Sequence, residues 1–308
     1  MGQHHIPKTA IPGLSKPSSS MALGLLEFDN LADVSAVLDR FSERGGNLLD
    51  TAFAYRDGLT EKLVGAWISE RGVREEIALV GKGAHTPLCT PENIGKQLTR
   101  SLERLQTDYV DIYFMHRDNL DVPVAEFVDA MDAEVRAGRI RGTFGGSNWT
   151  RERFDEAVAY AAKSGKQAPG VLSNNFSLGE MQDVIWPGCI SSSDETWHRW
   201  FLDRKVPNFA WSSQARGFFS DRAGRDKLDD EEMVSAWYSD RNFTRRDRAM
   251  ELANQVGKSG TQVALAYALA QPFPLIPIIG PGSLAELEDS LAAFEIQLTR
   301  EQVTWLKA

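Results

Sequence analysis

The chain has 308 residues, 42% of them hydrophobic and 25% charged, the profile of an ordinary soluble globular protein. Its net charge of −9 and isoelectric point near 5.2 exclude the clustered basic surface on which a nucleic-acid partner depends. No apolar run reaches the roughly 18 residues of a membrane span, and the opening MGQHHIPKTAIPGLSKPSSS lacks the apolar core of a signal peptide.

Residues 1–13 read as a flexible tail. Short apolar runs then alternate with longer amphipathic ones. Strands are predicted at Ser20–Gly24, Asn47–Leu49, Ile77–Gly81, Tyr109–Met115, Ile140–Gly145, Gly170–Ser173, Asn208–Ser212 and Leu275–Ile279. Helices are predicted at Leu31–Arg44, Thr60–Arg71, Pro91–Leu105, Val124–Ala137, Thr150–Ser164, Leu178–Ile185, Arg245–Gly257 and Ser283–Ala293, with a helix-like LTREQVTWLKA at the end. Thr90–Pro91 and Thr150 are start signals, and Gly138 and Gly165 are stops. The segments 187–206 and 217–244 read as insertions. No repeat of solenoid period occurs.

Eight strands alternating with eight helices fit a closed (β/α)₈ TIM barrel or an open doubly wound sheet. The G-x-G-x-x-G fingerprint of an open nucleotide-binding sheet follows neither of the first two strands, so a single-domain barrel is expected. Both insertions follow strands and therefore fall on the C-terminal face, where barrel active sites form. Cys89 and Cys189 stand far apart in a Cys-poor chain, which argues against a disulfide framework and for a reducing cytoplasm.

Asp50, Tyr55, Lys82 and His116 each fall at or just beyond a predicted strand end, so a parallel barrel would converge them on one pocket. Singly, each has an ordinary structural explanation, as a cap, a solvated lysine, a packed tyrosine or a structural histidine. Together they form a proton-transfer set. An ammonium beside a phenol stabilises the phenolate, and a carboxylate keeps that ammonium charged. Tyr55 could then protonate a carbonyl oxygen while a neutral His116 orients it.

The stretch GGNLLDTAFAYRDGLTEKLVGAWI resembles the aldo-keto reductase signature, in which Glu and Gly follow a D-T-A-x-x-Y core. VGKG, FMHRDN, GGSNW, FAWSSQARGFF and IPIIGPGSLAELEDSL resemble further segments of that family, in family order, from about Leu14 to Ala308. The resemblance implies an NAD(P)-dependent oxidoreductase acting on an aldehyde, ketone or sugar-derived carbonyl, or on the corresponding alcohol. Tyr55 would be the general acid/base, Lys82 and Asp50 its tuning pair, and His116 the orienting residue. Ser147 and Asn148 would hold the nicotinamide carboxamide. Asn175 stands where the family usually has glutamine, and Trp211 where a tyrosine commonly stacks on the nicotinamide. Ser212, Gln214 and Gly217 would line the pyrophosphate, and Gly280, Gly282, Ser283 and Glu286 belong to the C-terminal cofactor segment.

That segment contains no Lys or Arg to grip a 2′-phosphate, and Glu286 and Glu288 add negative charge, so NAD(H) is expected to be tolerated or preferred. Substrate-pocket candidates are Leu25, Leu26, Phe53, His85, Trp149 and Trp197, with a surface role expected for His85 and His198. Two other readings stay open: a nicotinamide-binding regulatory subunit on the same barrel, and a hydrolase or isomerase that shares only the fold. Against the latter stand the lack of a G-x-S-x-G elbow and of a metal-ligand cluster; His4 and His5 lack zinc-site spacing. The substrate itself is not legible.

Overall fold

In a computed structural model, described for residues 5–308, a short antiparallel hairpin of β1 (Lys8–Thr9) and β2 (Ser18–Ser19) precedes eight parallel strands. These are β3 (Ala22–Gly24), β4 (Leu48–Asp50), β5 (Ala78–Gly83), β6 (Val110–Met115), β7 (Ile140–Ser147), β8 (Val171–Ser173), β9 (Asn208–Ala210) and β10 (Leu275–Ile279). They pair in sequence order, and β10 closes on β3 to form a barrel. Each predicted strand is present, with ends shifted by at most two residues and Leu275–Ile279 unshifted.

β5 and β6 are buried throughout, as their near-continuous apolar runs require of strands covered on both faces. Alternate residues serve two cores. Ala22, Leu48, Val80, Ile112, Phe114 and Phe209 belong to one cluster, and Phe41, Trp67, Leu98, Phe127 and Phe154 to a larger one that joins sheet and helices. Residues 5–13 are ordered rather than a flexible tail: Ile6 is buried, and Ile11 packs into the smaller cluster below the strands.

The helices are α1 (Leu31–Glu43), α2 (Leu59–Arg71), α3 (Pro91–Leu105), α4 (Val124–Arg136), α5 (Arg151–Ser164), α6 (Glu195–Arg204), α7 (Glu231–Trp237), α8 (Asp240–Val256), α9 (Gly260–Leu269), α10 (Leu284–Leu291) and α11 (Arg300–Lys307). Local chemistry sets their ends. Thr150 accepts the Arg153 N–H at the start of α5, and Gly165 ends it at φ 67°.

Three expectations are corrected. Leu178–Ile185 is not helical, because its backbone bonds elsewhere: the Asn242 amide takes both N–H and C=O of Glu180, and Gln182 N–H donates to Ala236 O. The helix of that unit is α6, inside the supposed 187–206 insertion, started by Asp194, whose carboxylate accepts from Thr196 and Trp197. The 217–244 insertion contains α7 and the first turn of α8, which begins at Asp240 rather than Arg245. A third helix, α9, escaped notice because Val263–Ala268 is apolar all round and buried, so no amphipathic period marks it.

Candidate active site

The C-terminal strand ends carry the polar residues, and the backbone there is unusual. Ala84, Asn148 and Ser212, each just beyond a strand, have φ of 53°, 61° and 49°. Left-handed backbone at non-glycine residues clusters where a scaffold holds a site against its own preference.

Asp50 is the last residue of β4, and Lys82, expected just after its strand, lies inside β5. The ladder continues past β4, with Thr51 N–H on Val80 O and Phe53 N–H on Lys82 O, 2.9 and 2.8 Å. This carries the next turn along β5 and brings Tyr55 back over Lys82. The Lys82 ammonium lies 2.6 Å from Asp50 Oδ2, 3.2 Å from Thr51 O and 3.3 Å from Tyr55 Oη. Its three donors are thereby used.

The Glu and Gly of the motif hold this turn. Buried Glu61 accepts from Arg104 at 2.9 Å, and Arg104 donates to Phe53 O at 3.1 Å. At Gly58 (φ 85°) a Cβ would lie 2.2 Å from the Arg104 guanidinium, and at Gly65 a Cβ would lie 2.6 Å from the backbone of Arg104 and Leu105. Any side chain at Gly65 would force α2 off α3.

His116 N–H donates to Gly83 O at 2.6 Å, which places its ring beside the phenol. The ring meets Tyr55 edge-on, centroids 5.5 Å apart at 77°, and His85 at 4.9 Å and 83°. Its Nδ1 is buried without a partner. Burial, then the charges of Lys82 and Arg117, hold its pKa well below 6.5, so the imidazole is neutral. Burial pushes the Tyr55 phenol above 10, although Lys82 acts to lower it. The ammonium beside the phenol stabilises the phenolate, but desolvation of the phenolate outweighs it. Lys82 is raised, because Asp50 and Tyr55 overcome its burial.

Of the pocket candidates, His85 is drawn to His116 and is half-buried, not a surface residue. Leu25 is buried just beyond β3, and Leu26 is 44% exposed. Phe53 lies under Arg104, whose guanidinium is 4.7 Å from its ring. Trp149 is buried against Gly146, where a Cβ would meet the indole at 2.1 Å. Trp197 instead belongs to the aromatic layer of α6, packed with Trp200 and Phe201, with Arg151 of α5 over its ring. His198 is also buried rather than at the surface, between Phe176 and Phe273.

The cofactor candidates form a second arc of the rim. Ser147 donates to Ser173 O at 3.0 Å, and the Asn148 amide is bonded at both ends, to Ser147 Oγ and to Ile190 N–H. Asn175 Nδ2 donates to Trp211 O at 3.0 Å, whereas its Oδ1 and the Trp211 Nε1 are buried without partners. An open acceptor beside an indole fits a primary amide on a flat ring, so these residues suit a nicotinamide. Ser212 and Gly217 shape the following loop, and Gln214 reaches Ser290 at 3.3 Å. Gly280 has open space at its Cβ position. Ser283 caps α10, accepting from Glu286 N–H, and the Glu286 carboxylate accepts from Gly282 N–H at 2.7 Å. Glu288 turns instead to Arg40 of α1 and Arg44 just past its end.

Two residues escaped sequence reasoning. Trp186 lies over Trp211, ring centroids 6.0 Å apart, with Arg216 above it; its only signal was an aromatic in the Pro/Gly segment WPGC. Arg117 adjoins His116 in FMHRDN itself and is buried. Among the described residues there is no group of His, Cys, Asp and Glu able to hold a metal, and no helix long and apolar enough to cross a membrane.

A closed parallel barrel with Asp, Lys, Tyr and His joined at its C-terminal mouth defines a class of oxidoreductase. The chain belongs to the Aldo/keto reductase family, whose model matches residues 20–308. It is 26% identical to the uncharacterized oxidoreductase YrpG of Bacillus subtilis over 92% of this chain and 89% of that one. It is 29% identical to an aryl-alcohol dehydrogenase [NADP(+)] of Phanerodontia chrysosporium, covering 88% of this chain and 74% of that protein. Norsolorinic acid reductase stcV of Emericella nidulans is 25% identical over 92% and 76%. Among solved structures, the thermostable aldo-keto reductase Tm1743 shares the fold at a TM-score of 0.75, covering 98% and 99% of the two chains at 23% identity.

Proposed function

We propose that this chain interconverts a carbonyl compound and its alcohol with a nicotinamide dinucleotide, using Tyr55 as general acid/base. The observation that carries the reading is the Lys82 ammonium, which joins the Asp50 carboxylate and the Tyr55 hydroxyl in one buried chain. When bound, the nicotinamide supplies or accepts the hydride at the reacting carbon.

The residues of the chain do the rest. Tyr55 Oη holds the proton given to the carbonyl oxygen, and Lys82 donates to that same Oη, stabilising it once the proton has left. Asp50 keeps Lys82 charged in a buried site. Neutral His116 has a ring N–H to donate to the carbonyl oxygen, orienting it and spreading developing charge. A nicotinamide dinucleotide would be held by Asn175 Oδ1 at its carboxamide, by Trp211 at its ring, and by residues 212–217 and 280–286 at its pyrophosphate and ribose.

The NADP(+) in the name of the fungal relative supports the nicotinamide class, but the local charge here favours a free 2′-hydroxyl. Residues 280–290 carry no cation, and the Glu286 carboxylate sits at the start of α10. NAD(H) is therefore used at least as well as NADP(H). Two free, buried thiols fit a reducing cytoplasm. The test is direct: titrate NADH and NADPH by quenching of tryptophan fluorescence, then follow oxidation of each with aromatic and aliphatic aldehydes, ketones and sugar-derived carbonyls. Binding with turnover is expected; cofactor binding without turnover of any carbonyl or alcohol would turn the assignment toward a regulatory subunit.

A further inference from the structure

Three arginines are buried, and two of them meet both a carboxylate and backbone carbonyls. Arg153 reaches Asp118 at 3.1 Å and the carbonyls of Asn119 and Val122. Arg245 bonds the carbonyls of Lys307 and Leu178, with Glu180 at 3.6 Å. Arg117, 8% exposed, has one guanidinium bond, from Nη1 to His116 O at 2.9 Å, and no carboxylate within ion-pair distance among the described residues. Its neighbour Asp118 is committed to Arg153.

The bond to His116 O ties the guanidinium to the segment that leaves β6. Its charge is felt by the Tyr55 phenol, the His116 imidazole and the thiols of Cys89 and Cys189. Its other four donors meet no protein acceptor among the described residues, and none of its nitrogens is both buried and unbonded, so they open to solvent. Within the site the other charges cancel, Lys82 against Asp50, and His116 is neutral. An unmatched cation thus stands beside the proton donor.

A largely shielded guanidinium with no counter-charge favours a ligand that brings the opposite charge. The planar fork of a guanidinium matches a carboxylate through two parallel bonds. One guanidinium balances a monoanion, whereas a phosphate dianion would keep half its charge unmatched. We propose that Arg117 receives a carboxylate of the substrate, so that the preferred substrates are aldehydes or ketones that also carry an acid group. The inference rests on the reading of the site as a carbonyl reductase.

The test compares acids with their neutral methyl esters: glyoxylate, succinic semialdehyde, and 3- and 4-carboxybenzaldehyde, each against its ester, in wild type, Arg117→Met and Arg117→Lys. In wild type at least one acid is expected to exceed its ester tenfold or more in kcat/KM. Arg117→Met should lower that acid-to-ester ratio at least tenfold, chiefly through KM of the acid, and Arg117→Lys, which keeps the charge without the fork, should fall between. A merely structural arginine would lower acid and ester together. No acid preferred over its ester, or an unchanged ratio in Arg117→Met, overturns the proposal while leaving the reductase assignment intact. If neither acids nor esters turn over, it is the reductase assignment that fails. Calorimetric binding of 4-methylbenzoate still reads Arg117: wild type should bind it at least tenfold tighter than Arg117→Met, and equal affinities overturn the proposal.

Discussion

The carboxylate of Asp50 and the ammonium of Lys82 meet at 2.5 Å with each side chain only 3% exposed, joined from the ends of two adjacent strands. Removing one member of such a pair leaves the other charged without compensation, which destabilises by about 3–5 kcal/mol. Asp50→Asn should therefore lose about that much stability in urea unfolding, and Asp50→Asn with Lys82→Met should recover part of it. If Asp50→Asn unfolds within 1 kcal/mol of wild type, the pair does not hold the site as described.

Tyr55→Phe removes the proton but little volume. It should lower kcat by about 10²–10⁴-fold and leave nicotinamide affinity, read by tryptophan quenching, almost unchanged. Full activity in this variant would remove Tyr55 from the chemistry.

The pH dependence follows from the same set. The Tyr55 phenol is raised above 10, Lys82 above 10.5, and His116 is held well below 6.5. None of these three changes charge between those limits. The rate of reduction should be level from pH 6.5 to 10 and decline only above that, as Tyr55 loses its proton. Lys82→Met removes the cation that favours the phenolate, so oxidation of the alcohol should lose more than reduction does. A midpoint near pH 8 that vanishes in a variant of the quartet would contradict this.

Much of this was legible from the chain. Strands as nearly continuously apolar as VDIYFM and helices with caps such as Thr150 are local statements, and the structure contains them. The quartet was visible because each member sits at or just beyond a strand end, which one topological rule converts into convergence. What was missed depended on distant partners. α9 has no polar face to show, and Leu178–Ile185 lost its helix to Asn242, more than fifty residues away. Arg117 lay in plain view beside His116, but that no carboxylate pairs with it is a property of the folded surroundings. The sign of the shift on Tyr55 needed the depth of burial, which spacing does not report.

The cofactor arc offers one open acceptor. Asn175→Ala deletes the buried Oδ1 and also releases Trp211 O from Nδ2. Nicotinamide affinity should weaken by about three- to tenfold, the worth of one neutral hydrogen bond. Asn148→Ala should act differently, through the loop at Ile190 that its Oδ1 holds. Equal affinity in Asn175→Ala and wild type would place the carboxamide elsewhere.

Glu286 tests the choice of dinucleotide. Glu286→Arg exchanges a carboxylate for a guanidinium at the start of α10 and should raise the NADPH-to-NADH ratio of kcat/KM by tenfold or more, since charged hydrogen bonds are worth about 1.5–3 kcal/mol. Glu288→Gln should change that ratio far less, because its charge is already matched by Arg40 and Arg44. A wild-type preference for NADPH of a hundredfold or more would defeat the reading of this segment.

Buried His198 links stability to acid. Packed between Phe176 and Phe273 with Nε2 unbonded, it is lowered by burial from 6.5 to about 4. Its folded pKa lies below the unfolded value. Between pH 6.5 and 4 the unfolded chain therefore takes up a proton that the folded chain refuses, and stability falls as pH drops through that window. The full effect is about 3 kcal/mol. His198→Leu removes the titrating group, so between pH 7 and 4.5 it should lose about 2–3 kcal/mol less than wild type in urea unfolding. Comparing the two proteins cancels the carboxylates, which they share. If both lose stability in parallel over that range, the imidazole is not the group that senses the acid.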